Sequence, residues 1–462
     1  MKHLMAGVGR SDITPAPGTP QGGWGAQTHQ RGIGADLPLY ATALALSDSR
    51  ETVAIVDVDG IGFDDEWTER ILDAIQRLTQ LPRERIRFSC THTHSPANTF
   101  RLATITEGRD MILSYLEGLP LRIAGAAWQA LENLTPVRCA AGSGQCDINV
   151  NRRLKVEDGR VVLGRNWQGA VDRTVRVIRF DDLNEKPVAT IVHYACHPTT
   201  MAWENQYFTP DYPGMVKKVV EEQVGGTCLF LQGATGSLGP RRGFTGDLTV
   251  YRKLGKILGL EAAKVALNLE TLPRQEKLAG LLESGTTIVM YEDVPVEPDA
   301  PVLRVVSRMV DLPLKAHMPP EQLEAEAADL REKLNQLRAE GAPEQVRAAT
   351  ARATQAGMRA ERSRLYYGKT HLARQLMGIR IGEIALVSMP GEPFNEIAQE
   401  ISARSPFPHT LFSGYSNGGF GYLPIRSAFT EGGYEVETTP YGPDAAEAVV
   451  RESLRILEEL KA

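Results

Sequence analysis

The stretch Pro187–Thr200, PVATIVHYACHPTT, runs as eight mostly apolar, β-branched residues and then turns abruptly into a polar segment carrying His197 before Pro198. A short apolar run ending in a proline-fixed polar loop is the mark of a buried strand delivering a side chain at its carboxyl end. The pattern recurs outward from this segment. Thr52 to Asp57 (TVAIVD) ends in carboxylates, Arg85 to Cys90 runs into THTHS, Thr227 to Leu231 into QGATGSLGP, and Glu383 to Ser388 into MPGEPF. Asp64 to Leu78 shows helical spacing of Trp67, Ile71, Ile75 and Leu78 after the first of these strands. The expectation is an α/β, mixed-sheet catalytic domain whose functional groups meet at strand-end loops.

Between Pro319 and Tyr367 the composition shifts to Ala, Glu, Arg, Gln and Leu, with Leu323, Leu330, Leu334 and Leu337 at helical spacing. Gly341, Ala342 and Pro343 break it into two. The segment reads as an inserted helical hairpin (319–367) within a catalytic domain formed by 1–318 and 368–462. It is a surface arm or dimer contact, or else a lid. A last helix is predicted from an N-cap at Asp444.

The chain of 462 residues has a formal net charge of −6 and no basic cluster, which argues against a nucleic-acid partner. Its amino terminus passes from Met1–Gly7 into polar sequence without a signal-peptide core, and no stretch reaches the length needed to cross a bilayer. Five scattered cysteines without CxxC spacing argue against disulfides and against a thiolate metal site. These features predict a cytoplasmic protein without membrane attachment, any metal being held by imidazole and oxygen ligands.

His92 and His94 lie two apart after a strand, so both imidazoles face one side, as two metal ligands or two structural histidines. His193 lies inside its strand and is expected to pack. Glu392, straight after the strand and Met389-Pro390-Gly391, suits a metal ligand, a general base or a helix N-terminal acid. Tyr415 and Tyr422 occupy a loop rich in glycine, which permits close backbone approach or simply forms turns.

Taken in order, GVGRSDITP (Gly7–Pro15), RGIGADLPLYATALAL, THTHS, NVNRR, CHPTT, PDYPG, FLQGATGSLGP, MPGEPF and GGFGYLP followed by GGYEVE resemble the neutral, non-lysosomal ceramidases and their short bacterial relatives. The resemblance implies one zinc ion per chain, held by His92, His197, Glu392 and Tyr422, and cleavage of an amide by attack of zinc-bound hydroxide. It implies that His94 supports the oxyanion or protonates the leaving amine, that Arg152 stabilises developing negative charge, and that Tyr434 is a second site tyrosine. Asn151, beside Arg152, joins Tyr434 as an expected substrate contact. The motif departs from the family where the family's serine falls on Gly239; Ser237 is the nearest catalytic candidate, in the turn or in the site. Members acting at membranes carry an export signal and a C-terminal β-sandwich that are not seen here, so the expected substrate is a small soluble N-acyl compound. An ester or carbohydrate-derived substrate, or a binding protein without catalysis, are the alternatives, and the helical arm makes a homodimer possible.

Overall fold

Strand Tyr40–Ser47 shows how the sequence builds the architecture. Ala41, Ala43 and Ala45 face one way and Leu44 and Leu46 the other, and all five are buried, so this strand lies between two packed layers. The computed structural model describes residues 3–27, 29–100, 102, 105–341, 343–419 and 421–462. Its main sheet has eight strands in the order Thr227–Gln232, Pro187–Tyr194, Thr174–Asp182, Thr135–Gln145, Leu4–Asp12, Tyr40–Ser47, Thr52–Val58, Ile86–Cys90. The outermost pair at each edge is parallel and the central pairings are antiparallel.

One face of this sheet packs on helices Asp65–Thr79 and Arg109–Glu132 through Ala43, Val56, Ile71 and Ile123, and on Asp211–Val224 and Leu248–Leu267 through Val192, Phe230, Val216 and Leu258. The other face packs Leu44, Ile55, Ile191 and Leu229 against Val305, Ile379, Leu386 and Leu411. Those last residues belong to a second, four-stranded sheet: Leu303–Pro313, His371–Ile381, Ile384–Ser388 and His409–Ser413. Helices Asn395–Arg404 and Ala445–Lys461 cover its outer side. The result is helix, sheet, sheet, helix, a mixed α/β fold.

The main sheet curls until its two edges meet. Phe230 N donates to Asp57 Oδ2 at 3.1 Å, and Gln232 Nε2 donates to the Thr91 carbonyl at 3.0 Å. Strands at opposite ends of the sheet order therefore discharge their loops into one place. Arg87, fully buried between the sheets, donates to Ser89 Oγ and to Ser413 Oγ and so fastens the second sheet there as well.

The helices Pro320–Glu340 and Pro343–Tyr366 pack on each other through Leu323, Ala327, Ala356 and Ala360; Ala342 lies outside the described residues. The last helix starts as expected, with Asp444 at the N-cap position, though its carboxylate makes no capping hydrogen bond and pairs with Arg426 instead. The sequence reading also passed over the strands Arg274–Glu283 and Thr287–Pro295, which pair with each other as a two-stranded hairpin.

Candidate metal centre

Beyond Cys90 the chain turns sharply, and His92 takes a left-handed conformation with φ of 65°. Such a conformation is uncommon for a residue with a Cβ and is held by its surroundings. Its backbone N–H donates to the Gly60 carbonyl at 2.8 Å and its Nδ1–H to the Ile61 carbonyl at 2.5 Å. His94, half-buried, donates Nδ1–H to the Gly23 carbonyl at 3.2 Å. A carbonyl only accepts, so both rings carry their proton on Nδ1 and present a lone pair at Nε2. His197, from the other edge of the sheet, sets its Nδ1 3.5 Å from Thr235 Oγ1 and its Nε2 3.1 Å from Nε2 of His94. One ring nitrogen from each histidine lies within 4.8 Å of the others.

Glu392 completes the set. Gly391, at φ of 86°, turns the chain so that Glu392 N donates to the Gly421 carbonyl at 2.9 Å, and residues 392–393 pair in parallel with Tyr422 and Leu423. Glu392 Oε2 then sits 3.5 Å from Nε2 of His92 and 3.9 Å from Nε2 of His197, buried and without a hydrogen-bond donor. A buried carboxylate oxygen without a hydrogen-bond partner is unfavourable by itself. A cation bound among these atoms would relieve it, and the imidazole and carboxylate donors fit a divalent metal.

The neighbouring groups reinforce that polarity. Burial, then the Arg152 charge and the other two imidazoles, push His197 well below the usual histidine range, so it stays neutral. Tyr415 lies 4.3 Å from the His92 ring and hydrogen-bonds Thr235 Oγ1. Burial and then Glu392 raise its phenol. Tyr422 is buried between Tyr434, at 5.7 Å between ring centroids, and the Arg152 guanidinium, 5.1 Å above its ring. Its phenol is likewise raised, first by burial, though Arg152 opposes the shift. Burial opposes the Arg152 charge, but Tyr422 and Glu435 outweigh it and hold the guanidinium above its ordinary value.

Arg152 donates Nε–H to Glu435 Oε1 at 2.8 Å, while its Nη2 is buried without an acceptor. Glu435 also accepts from Arg153 Nη1 at 2.9 Å on its second oxygen. Asn151 and Ser237 are engaged otherwise. The Asn151 amide donates to the Ala170 carbonyl and accepts from Arg153 N, both backbone groups. Ser237 Oγ accepts from Asn395 N at 3.1 Å and donates to Glu396 Oε2 at 3.3 Å, which anchors the start of helix Asn395–Arg404. Gly239, in the position of the family's serine, faces Arg152: a Cβ there would lie 3.6 Å from Arg152 Cβ. His193 is packed, with Nε2–H given to the Phe412 carbonyl at 2.9 Å.

The sequence reading missed Glu435 and Thr235. Glu435 sat in the quoted GGYEVE, where an acid followed by another acid looks solvated; only the two arginines across the fold explain its burial. Thr235 stood unremarked in the quoted QGATGSLGP and is fully buried.

A family model described as neutral/alkaline non-lysosomal ceramidase, N-terminal, matches residues 4–235. The chain belongs to the neutral/alkaline non-lysosomal ceramidase family. The family match contains His92, His94, Arg152 and His197, and ends before Glu392. A neutral ceramidase of Drosophila pseudoobscura pseudoobscura is 26% identical over 236 residues, which cover 47% of this chain and 32% of that protein. The match therefore spans about a third of that relative's length. The neutral ceramidase of Pseudomonas aeruginosa superimposes with a TM-score of 0.69 at 20% identity, covering all of this chain and 75% of that one. A structure of a ceramidase complexed with C2 gives 0.68 at 17% identity, covering all of this chain and 76% of that one. At these identities the ceramidase family shares the fold with this chain.

Proposed function

We propose that the protein is a zinc-dependent hydrolase that cleaves the amide bond of a compact N-acyl compound. The observation that carries the reading is the orphaned Glu392 Oε2 facing the Nε2 atoms of His92 and His197, a buried acceptor set in need of a cation. Tyr422 is the fourth ligand in this reading. When bound, the metal supplies a Lewis acid that acidifies water and polarises the scissile carbonyl.

The chain's own groups do the rest. Arg152 Nη2 offers its unused N–H to the oxygen that gains charge as the carbonyl becomes tetrahedral, and its ion pair with Glu435 fixes the guanidinium beforehand. His94 Nε2 takes the proton from the attacking water and returns it to the leaving nitrogen, while its bond to the Gly23 carbonyl keeps the ring oriented. Neither Ser237, tied to helix Asn395–Arg404, nor Asn151, tied to backbone, is needed in this scheme. Tyr434 borders the substrate beside Tyr422.

Trp24 stands 5.1 Å from the His94 ring, with Trp203 and Phe244 against it, and forms an apolar wall for the acyl group. The helical hairpin reaches the same loop: a Cβ on Gly25 would lie 4.0 Å from Ala351 Cα and Thr354 Cγ2. An arm so placed favours a compact substrate over one presented in a bilayer. We take the hairpin as an insertion into one catalytic domain. Among the described residues no helix is long and apolar enough to cross a membrane, and the five unbridged cysteines accord with a reducing, cytoplasmic setting.

Elemental analysis of the protein beside a His92→Ala, His197→Ala double variant tests the metal, with about one zinc per chain expected in the parent and little in the variant. A metal-free parent after zinc supplementation refutes it. Matched soluble amides and esters, with dispersed ceramide in parallel, then test the bond and the substrate. Turnover of esters alone, or of ceramide at rates matching any soluble amide, overturns the corresponding part.

A further inference from the structure

Residues 274–295 form a β-hairpin that stands away from the rest of the fold. All nine residues of Thr287–Pro295 are exposed, as are all but one of Arg274–Glu283, and among the described residues its strands pair only with each other. Alternation puts Tyr291 opposite Leu278 on one face, and Ile288 opposite Leu282 with Met290 on the other. Leu281 joins Leu278 and Tyr291, at exposures of 69%, 66% and 59%. Both faces are apolar and both edges are unpaired. A two-stranded hairpin is at best marginally stable in water, and an open apolar edge recruits another chain.

We propose that this hairpin is the dimerisation arm of the protein, clasping a second copy of the same chain. Two observations favour a second copy. The eight large apolar residues of the hairpin, each 37–69% exposed, offer on the order of 800 Å² at about 200 Å² for a whole side chain, which matches the ~800 Å² per partner of a stable complex. Next, apolar side chains on both faces need cover on both sides. A helix or hairpin lying on a membrane is covered on one side only, and unpaired edges are not tolerated in hydrocarbon. The two strands also carry Arg274 and Lys277 against Glu276, Glu283, Glu292 and Asp293, an excess of carboxylates that repels an anionic bilayer and leaves the apolar area, not charge, to hold a second copy. A two-fold axis brings two identical hairpins together in one isologous interface.

Sedimentation of the full-length chain at micromolar concentration tests the proposal. The parent is expected to be a dimer. Leu281→Lys with Tyr291→Lys, and separately Leu282→Lys with Ile288→Lys, are expected to give monomers with the parent's circular dichroism and metal content. Leu365→Lys, on the exposed side of the helical arm, is expected to leave the dimer intact. A monomeric parent, a dimer that survives both hairpin variants, or one that Leu365→Lys dissociates, overturns the assignment. Hydrogen exchange on the unmutated protein guards against a variant that fails to fold. Hairpin amides should be protected at micromolar concentration and lose that protection on dilution. Fast exchange at every concentration, or protection gained only with phosphatidylcholine vesicles, refutes the arm.

Discussion

Replacing Glu435 by Gln removes one charge from a buried carboxylate shared by two arginines. Only 1% of Glu435 is exposed, and its two oxygens separately accept from Arg152 Nε at 2.8 Å and Arg153 Nη1 at 2.9 Å. In the variant one of those donors meets an amide N–H. Arg153 then keeps its ion pair with Glu431, itself half in solvent and 3.1 Å away, and Arg152 is left beside Tyr422 and Glu392. Breaking a buried pair while leaving its cations behind costs about 3 to 5 kcal/mol. A chain of 462 residues gains about 1 kcal/mol/K of entropy on unfolding, so Tm should fall by roughly 3 to 5 °C. Differential scanning calorimetry measures that shift. The double variant Arg152→Gln, Glu435→Gln should lose less than the sum of the single changes, by at least ~1 kcal/mol. Metal content should stay at the parent's level, since Glu435 touches neither the imidazoles nor Glu392. A Tm within ~1 °C of the parent, or strict additivity in the cycle, would refute the account of Arg152 as a cation held in place by Glu435.

Burial, then Arg176, push the His193 imidazole down to about 4, below its ordinary value of ~6.5. The unfolded chain therefore takes up this proton first as pH falls, and stability present above about 6.5 is lost progressively towards 4, by roughly 2 kcal/mol at pH 5. Urea midpoints at pH 7 and pH 5 should show that loss in the parent and a smaller one in His193→Gln; equal pH dependence counts against it. Thr235→Val removes the oxygen facing His197 Nδ1 and the partner of the Tyr415 hydroxyl, and should weaken metal binding by about 10- to 100-fold in competition with a chelator. Thr235→Ser should restore it, and an unchanged affinity in Thr235→Val would remove Thr235 from the site. Gly391→Ala places a Cβ 2.6 Å from the Gly421 carbonyl oxygen at a positive φ. It should cost about 2 kcal/mol or more and lower metal content, whereas a neutral result would mean that the turn before Glu392 can relax.

The strands that end in loops were legible because burial on both faces leaves a mostly apolar run, as in Pro187–Tyr194 and Thr227–Gln232. The helical hairpin was legible from its leucine spacing and its Gly-Ala-Pro break. The second sheet was harder. Leu303–Pro313 mixes Arg304, Arg308 and Asp311 with buried Val305 and Val306, so neither alternation nor an apolar run is clean. His92, His94, His197 and Glu392 drew attention because each follows a strand, and the fold brings all four together. Asn151 and Ser237 stood in the right motifs, but their side chains are claimed by backbone and by the start of a helix, a competition that spacing does not reveal. Glu435 and Thr235 act through partners far away in sequence, and no local pattern marks such residues.

The meeting of the sheet's two edges bears on how the protein comes into being. His94 and His197 are 103 residues apart in the chain, and Glu392 arrives from a different sheet, so no early segment of a growing or refolding chain contains the cluster. A cation has nothing to bind until the long-range closure is made, when most of the structure is already in place. The effect of a bound cation would then fall on the rate of leaving the native state far more than on the rate of reaching it. A metal held there would act as a latch on a finished molecule, set at the seam where the two edge strands of the main sheet come together.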